Sequence, residues 1–402
     1  MNPPIRFTTA GESHGPALVA VLEGVPAGLA LGAADIDADL RRRMGGHGRG
    51  ARMKIESDRV EMLSGVRAGE TLGSPIAMLI RNQDWEHWAD IMATEPDPAG
   101  AGPRRRAVHR PRPGHADLVG VLKYDRADAR DILERASARE TAARVACGAV
   151  CRALLATFGV EIGSHVVRIG EVEARSPDEL PVPLNPVADA SPVRCLDPDA
   201  ATAMVDAIDR AKRARDTLGG VVEVVARGVP VGLGSHVSWD RKLDGRLAQA
   251  MMSIPAVKAV EIGMGLDAAS RRGSEVHDAI GRGESPATGG FTRRTNRAGG
   301  LEGGMTTGAP LVLRVAMKPI STLLRPLDTV DLATGGPSKA QAERSDVTAV
   351  PALGVIAEAM LALVLANALL EQFGGSSLAD TRASYDAYLA RLARRWERGP
   401  SA

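Results

Sequence analysis

The chain has 402 residues, 44% of them hydrophobic and 25% charged, which excludes wholesale disorder and allows one large domain or two to three ordinary ones. Fifty Lys and Arg face 49 Asp and Glu, a formal net charge of +1, and only 3% of the residues are aromatic. A protein that coats nucleic acid needs more positive charge and more rings for base stacking, so that class is disfavoured.

From the N-terminus, MNPPIRFTTAGESHG lacks the apolar core of a signal peptide. A helix is expected over 35–43, with Ile36 and Leu40 on one face and Arg41, Arg42 and Arg43 in its last turn, where positive charge suits the helix dipole. Strands are expected over 60–66 and 76–81. A long Ala-rich amphipathic helix follows over 128–158, stopped by Gly159. The pattern next gives a strand over 166–172, a Pro-rich surface loop over 176–198 and a helix over 199–215. Strands over 221–226 and 257–262 flank a helix over 241–253, and another strand spans 311–317. The stretch 355–373 is apolar on nearly all sides and reads as a central buried helix ending at Gly374-Gly375, and an amphipathic helix closes the chain over 377–397. The strongest apolar run, 359–370, is twelve residues against the roughly 20 that cross a bilayer. Cys147, Cys151 and Cys195 form neither a disulfide framework nor a zinc pattern. The default is one reduced, cytoplasmic α/β domain over 1–402, with no membrane segment and no metal.

Chemistry is most readable in the polar, Gly-flanked segments. In Gly11-Glu12-Ser13-His14-Gly15 the glycines permit tight backbone, and the imidazole suits general acid–base work; a turn whose Ser and His bond only to backbone explains it equally. In Arg110-Pro-Arg112-Pro-Gly-His115-Ala-Asp117, arginines can clamp a phosphate or carboxylate beside a histidine with an acidic neighbour, or form a rigid solvated loop. Arg41, Arg42, Arg43, Arg49 and Arg52 lie among glycines, as an anion site requires, although a helix end explains about half of them. Arg135 and Arg139 are one helical turn apart, with Glu134 and Glu140 available as surface partners. The Gly-rich run 292–308 offers backbone N–H groups to an anion or flat heterocycle. Arg344-Ser345-Asp346 opens the buried helix, as a ligand group or as a cap. P-loop, dinucleotide-binding and H-E-x-x-H patterns are all missing from the sequence. Together the segments describe a cationic pocket for a multiply anionic small molecule, with histidines for proton transfer.

GESHG at 11–15, RPGHAD at 112–117, ERASARETAARVA at 134–146, NRAGGLEGGMTTG at 296–308, MKPIST at 317–322 and RSDVTAVPA at 344–352 resemble the chorismate synthase family, in that family's order and over nearly the whole chain. The resemblance implies a lyase, the last step of the shikimate pathway: 5-enolpyruvylshikimate 3-phosphate loses phosphate and a ring hydrogen by anti-1,4 elimination, using reduced FMN without net redox change. It implies a layered β-α-β sandwich with central buried helices and a homotetramer. By the same resemblance His14 is the acid for the departing phosphate, and His115 faces the flavin. Asp346, through Ser13 or Ser137, relays a proton at flavin N5. Arg135, Ala136, Ser137, Pro255, Ala256, Gly303, Lys318, Pro319, Ile320, Ser321, Thr322 and Arg344 match flavin-contacting positions. Arg43 and Arg49 match substrate-end arginines that contact NADP in some members. Pro255 departs from the family's polar Asn or Gln. The compact length, with no inserted reductase module, points to an external flavin reductase rather than self-reduction with NADPH. The competing readings are a divergent FMN or anionic-metabolite binder without catalysis, and an Arg-rich nucleic-acid binder.

Overall fold

The computed structural model describes residues 4–50, 56–95, 106–283, 285, 288–343 and 345–394. Strands β1 (Arg6–Ala10), β2 (Ala17–Glu23), β3 (Val60–Met62) and β4 (Ile76–Arg81) form an antiparallel sheet in the order β1-β2-β4-β3. Strands β5 (Glu161–Ile169), β6 (Val172–Glu173), β7 (Gly220–Arg227), β8 (Val257–Ile262) and β9 (Leu311–Met317) form a second, in the order β8-β9-β7-β5-β6. β9 alternates as one-sided burial demands: Leu311, Leu313, Val315 and Met317 are buried and the residues between them are half-buried. β7 and β9 pair through Leu311↔Ala226 to Met317↔Gly220.

The helices are α1 (Ala33–Met44), α2 (Asp117–Tyr124), α3 (Thr141–Ala156), α4 (Pro198–Ala214), α5 (Leu243–Met252), α6 (Val350–Phe373) and α7 (Leu378–Ala393). α3 packs on β2 and on α6, and α6 packs on β5 and β7. Both helices therefore have to be apolar and small-featured. At their contact, a Cβ on Gly148 of α3 would stand 2.4 Å from the Cβ of Ala359 on α6, so the backbones meet where only glycine fits. α6 is long and apolar enough to span a bilayer, yet 89% of its most hydrophobic stretch is buried inside this fold. It reads as a core helix.

A charged group is buried within that core. Glu358 of α6, fully buried, accepts from Arg42 (2.9 and 3.0 Å), Arg152 (2.6 Å), Arg194 (3.0 Å) and Ser164 (2.5 Å). Burial alone would raise its pKa, but the three guanidiniums reverse that and hold it well below the carboxylate range. Arg42, expected in the last turn of its helix, thus also serves as a partner of buried Glu358.

The expected strands 76–81, 257–262 and 311–317 match their observed bounds. Other segments differ. The helix expected over 128–158 breaks into a turn at Arg130–Leu133, an extended Ser137 and a 3-10 turn before α3. The break occurs because Glu134 and Arg135 are drawn to partners in the N-terminal strand and loop, while the Ser137 hydroxyl caps the next turn by accepting from Arg139 N. The strand expected over 60–66 stops at Met62, and Val66–Arg67 joins a separate hairpin with Glu70–Thr71. The Pro-rich segment 176–198 is not merely surface loop. It holds a helical turn, Leu184–Asp189, whose Leu184 fills the space above Gly163 on β5. α6 starts at Val350, earlier than expected, because Pro351 is tolerated in a first turn. β1, β2 and α2 were not anticipated from the pattern.

Candidate active site

α3 and α6 both begin at one cavity of about 600 Å3. Helix N-termini carry partial positive charge, so this end of the core favours anions before any side chain is counted. The loop after β1, the loop after α1, the Arg112–Ala116 loop, the Leu133–Thr141 break, Ile254–Ala256, the end of β9 and the approach to α6 supply the rest of the wall.

Gly11, with φ +104, turns the chain so that Ser13 and His14 face this space; a Cβ there would meet Ala17 O at 2.4 Å. His14 is held on two sides. Its Nδ1 lies 2.9 and 3.0 Å from the two carboxylate oxygens of buried Glu134, and its backbone N–H donates to the same carboxylate at 2.9 Å. Trp88 stacks on the imidazole at 3.9 Å, with Arg106 and Arg130 packed over the indole. Arg130 donates to Glu134 at 2.8 Å. Burial opposes the Glu134 charge, but the hydrogen bond from His14 and the neighbouring cations lower its pKa overall.

His115 is likewise held by a carboxylate, with Arg112 Nη2 also 3.1 Å from its Nδ1. Its Nδ1 lies 2.5 Å from Asp117 Oδ1, and Asp117 also accepts from Arg112 at 2.8 and 3.1 Å. Arg112 reaches on to the Thr322 hydroxyl at 2.8 Å, which ties the histidine loop to the end of β9. Against the cost of burial, the hydrogen bonds and charges of His115 and Arg112 push the Asp117 carboxyl far below its ordinary range. With Nδ1 engaged, the His115 Nε2 makes no hydrogen bond among the described residues.

The arginines are largely matched from behind. Arg43 is buried, donates to Thr141 (3.0 Å) and Ala138 O (3.0 Å), and pairs with Asp58 at 3.3 Å. Burial pulls its pKa down to about 10, still charged at neutral pH. Arg139 pairs with Asp58 and with Glu56 (3.5 Å). Arg49 approaches Asp346 at 3.4 Å, and Asp346 also accepts from Gly50 N at 2.6 Å. The pocket is therefore a balanced array of guanidiniums and carboxylates rather than a block of bare positive charge. The lining is also partly apolar, with Leu133, Ile254, Pro255, Met317, Ala352, Leu353 and Ile356 among others.

Of the residues singled out in the sequence, Ser13, His14, Arg43, Arg49, His115, Ala136, Ser137, Pro255, Ala256, Lys318, Pro319, Ile320, Ser321, Thr322 and Asp346 all line this cavity. Lys318 Nζ donates to Gly114 O at 2.5 Å, and its backbone N–H to Ala256 O at 2.9 Å. Two do not. Arg135 is exposed and turns back onto β1, donating to Thr9 O (2.8 Å) and Gly11 O (3.2 Å), so it does not share a face with buried Arg139. Gly303 sits in the hairpin turn between Leu301–Glu302 and Met305–Thr306, off the cavity wall, and the run 292–308 is occupied with its own contacts, such as Arg293 to Glu302 at 2.6 Å. Arg52 and Arg344 lie outside the described residues. Asp346 accepts from Gly50 N and pairs with Arg49, the Ser137 hydroxyl accepts from Arg139 N, and both side chains line the cavity.

Sequence reasoning treated Glu134 and Glu140 as surface partners, yet both are buried: Glu140 accepts from Thr9 and Arg144, and Glu134 serves His14. The available signal was Arg130 and Glu134 four apart beside apolar Ile132 and Leu133, a charge pair on an apolar stripe. Trp88, Glu56 and Asp58 were also missed.

The sequence pattern of the chorismate synthase family matches residues 5–370. A chorismate synthase of Symbiobacterium thermophilum is 57% identical over 394 residues, 97% of this chain and 100% of its own. One from Moorella thermoacetica is 58% identical over 391 residues, 96% and 100% respectively. A solved crystal structure of chorismate synthase superposes with a TM-score of 0.77 at 44% identity, covering 97% of this chain and 98% of its own.

Proposed function

Since the chain belongs to the chorismate synthase family, we propose that the cavity at the start of α3 and α6 is where its substrate and flavin meet. Membership gives the reaction: the enzyme is a lyase that converts 5-enolpyruvylshikimate 3-phosphate to chorismate by anti-1,4 elimination of phosphate, and it requires reduced FMN. This is the last step of the shikimate pathway.

The residues present suit both molecules. A flat tricyclic ring finds the apolar wall of Leu133, Ile254, Pro255, Met317 and Leu353, with Lys318 and the Ser321-Thr322 hydroxyls at its margin. Pro255 offers no N–H, so it contributes through its ring face and carbonyl. A phosphate and two carboxylates find Arg43, Arg49, Arg112, Arg139 and two helix N-termini. Reduced FMN held by these residues would supply an electron transiently and recover it, consistent with the absence of net redox change.

The observation that carries the division of labour is that two histidines line one cavity with Nδ1 held by a buried carboxylate in each case. That leaves proton transfer to Nε2. His14 delivers a proton to the departing phosphate oxygen. His115 holds the proton balance of the flavin ring. Asp346, anchored on Gly50 and Arg49 in the same cavity lining, relays the proton at flavin N5, with Ser13 or Ser137 as the hydroxyl between. Arg43 and Arg49 orient the substrate. Arg135 and Gly303 enter this scheme only through the family resemblance.

The arrangement further supports a single domain, 1–402, layered as a β-α-β sandwich, because α3 rests on one sheet and α6 on the other. By the family pattern it acts as a homotetramer, and the reading is completed by a cytoplasmic location and an external flavin reductase. The test is an anaerobic assay with 5-enolpyruvylshikimate 3-phosphate, scoring chorismate and phosphate with FMN reduced, oxidised or omitted. Product only with reduced FMN is expected. His14→Ala and His115→Ala should each cut turnover by roughly 10²–10⁴, the usual worth of a general acid or base, while still binding flavin. A variant at near-wild-type rate removes its histidine from the mechanism.

A further inference from the structure

We infer that Glu134 is a positioning residue for the elimination: it fixes the tautomer and direction of His14 so that the proton leaves from Nε2. This rests on the role proposed above for His14.

Four observations meet at one point. Glu134 is buried, so its charge is not dissipated in water. Both of its oxygens reach His14 Nδ1, at 3.0 and 2.9 Å, and Oε2 also accepts the His14 backbone N–H, so ring and main chain are fixed by one carboxylate. Arg130 at 2.8 Å holds the far oxygen, and Trp88 closes the face of the imidazole at 3.9 Å with the rings 23° from parallel. Ser13 N donates to Glu134 O at 3.0 Å, which locks the Gly11–Gly15 loop to the same residue. A carboxylate accepts only, so Nδ1 carries a proton and donates it. When His14 protonates the phosphate oxygen, the proton comes from Nε2 and the ring becomes the neutral Nδ1–H imidazole without breaking its bond to Glu134.

The geometry has an internal precedent in the same cavity. Asp117 holds His115 Nδ1 and is itself held by Arg112, as Glu134 holds His14 Nδ1 and is held by Arg130. The acids differ in sequence reach: Asp117 is two residues from its histidine, Glu134 is 120 residues from its own. The break in the helix expected over 128–158 then has a function, since a continuous helix through Ser137 would carry Glu134 off the His14 loop.

The test uses the full-length enzyme with reduced FMN. Glu134→Gln keeps the shape and an acceptor for the backbone N–H but removes the charge. The expected result is a kcat lowered by roughly tenfold to a hundredfold, below the full worth of a proton-transfer group, with KM and FMN affinity within about twofold. In a His14→Ala background the same change should produce no further loss, because residues acting as a unit are strongly non-additive. A purely structural role gives the opposite pattern: weaker FMN binding and a loss that multiplies with His14→Ala. An additive loss, or wild-type kcat in Glu134→Gln while His14→Ala is impaired, overturns the inference. Wild-type activity in His14→Ala instead overturns the role of His14. If Glu134→Gln does not fold, the 15N signature of His14 in the unmodified enzyme decides: Nδ1 protonated is expected, and a neutral ring protonated only at Nε2 sinks the idea.

Discussion

Asp117 shows how much one carboxylate can organise. It begins α2, accepts from the backbone and guanidinium of Arg112, and takes Nδ1 of His115. Asp117→Asn keeps the size but leaves a buried guanidinium and a histidine without their anion. We expect kcat to fall towards the roughly 10²–10⁴ that proton transfer contributes. Flavin affinity should also weaken, since Arg112 links His115 to Thr322; flavin titration alongside steady-state kinetics reads both. At this scale the sequence was most legible where partners are neighbours. His115, Asp117 and Arg112 fall within one six-residue motif, so their contact follows from spacing. His14 was legible but its acid was not, because Glu134 is 120 residues away and sits in a stretch whose composition favours helix. Arg43 and Arg139 were legible as cations, yet their shared partner Asp58 was invisible, since no local pattern distinguishes a buried aspartate from a solvated one.

Among elements, the decisive contact is α3 against α6. Gly148→Val should destabilise by about 1–3 kcal/mol or more through overpacking, because the added atoms fall within 3 Å of the Ala359 backbone. A denaturant midpoint lower than that of the unaltered protein, with activity lost in step, is the expected reading; an unchanged midpoint means the helices can separate at no cost. Strands were legible where alternation or β-branched runs continue unbroken, as in β9 and β4. The helix boundaries failed at 134–137, where side-chain partners on β1 and the following loop outweigh helix propensity. The segment over Gly163 failed for a related reason: its prolines suggest a surface loop, but Leu184 and Ala188 are buried against β5.

For the molecule as a whole, four buried carboxylates, Asp117, Glu134, Glu223 and Glu358, have folded-state pKa values below ordinary ones. In each, burial works against the charge and the facing cations outweigh it. A value depressed in the folded state adds stability that is fully present above the unfolded pKa, about 4, and is lost as pH falls through the folded value. Thermal unfolding should therefore be steady through neutral pH and decline steeply below about pH 4. A Tm that rises on acidification contradicts this. The wall of the cavity also has a bearing on how the protein comes into being. Its residues run from Ser13 to Ile356, contributed by separate stretches of the chain. A growing polypeptide that has emerged only as far as β9 has both histidines, yet lacks the Asp346 approach and the whole of α6. On the function proposed above, flavin capture belongs to the end of synthesis, after α6 has closed onto the two sheets.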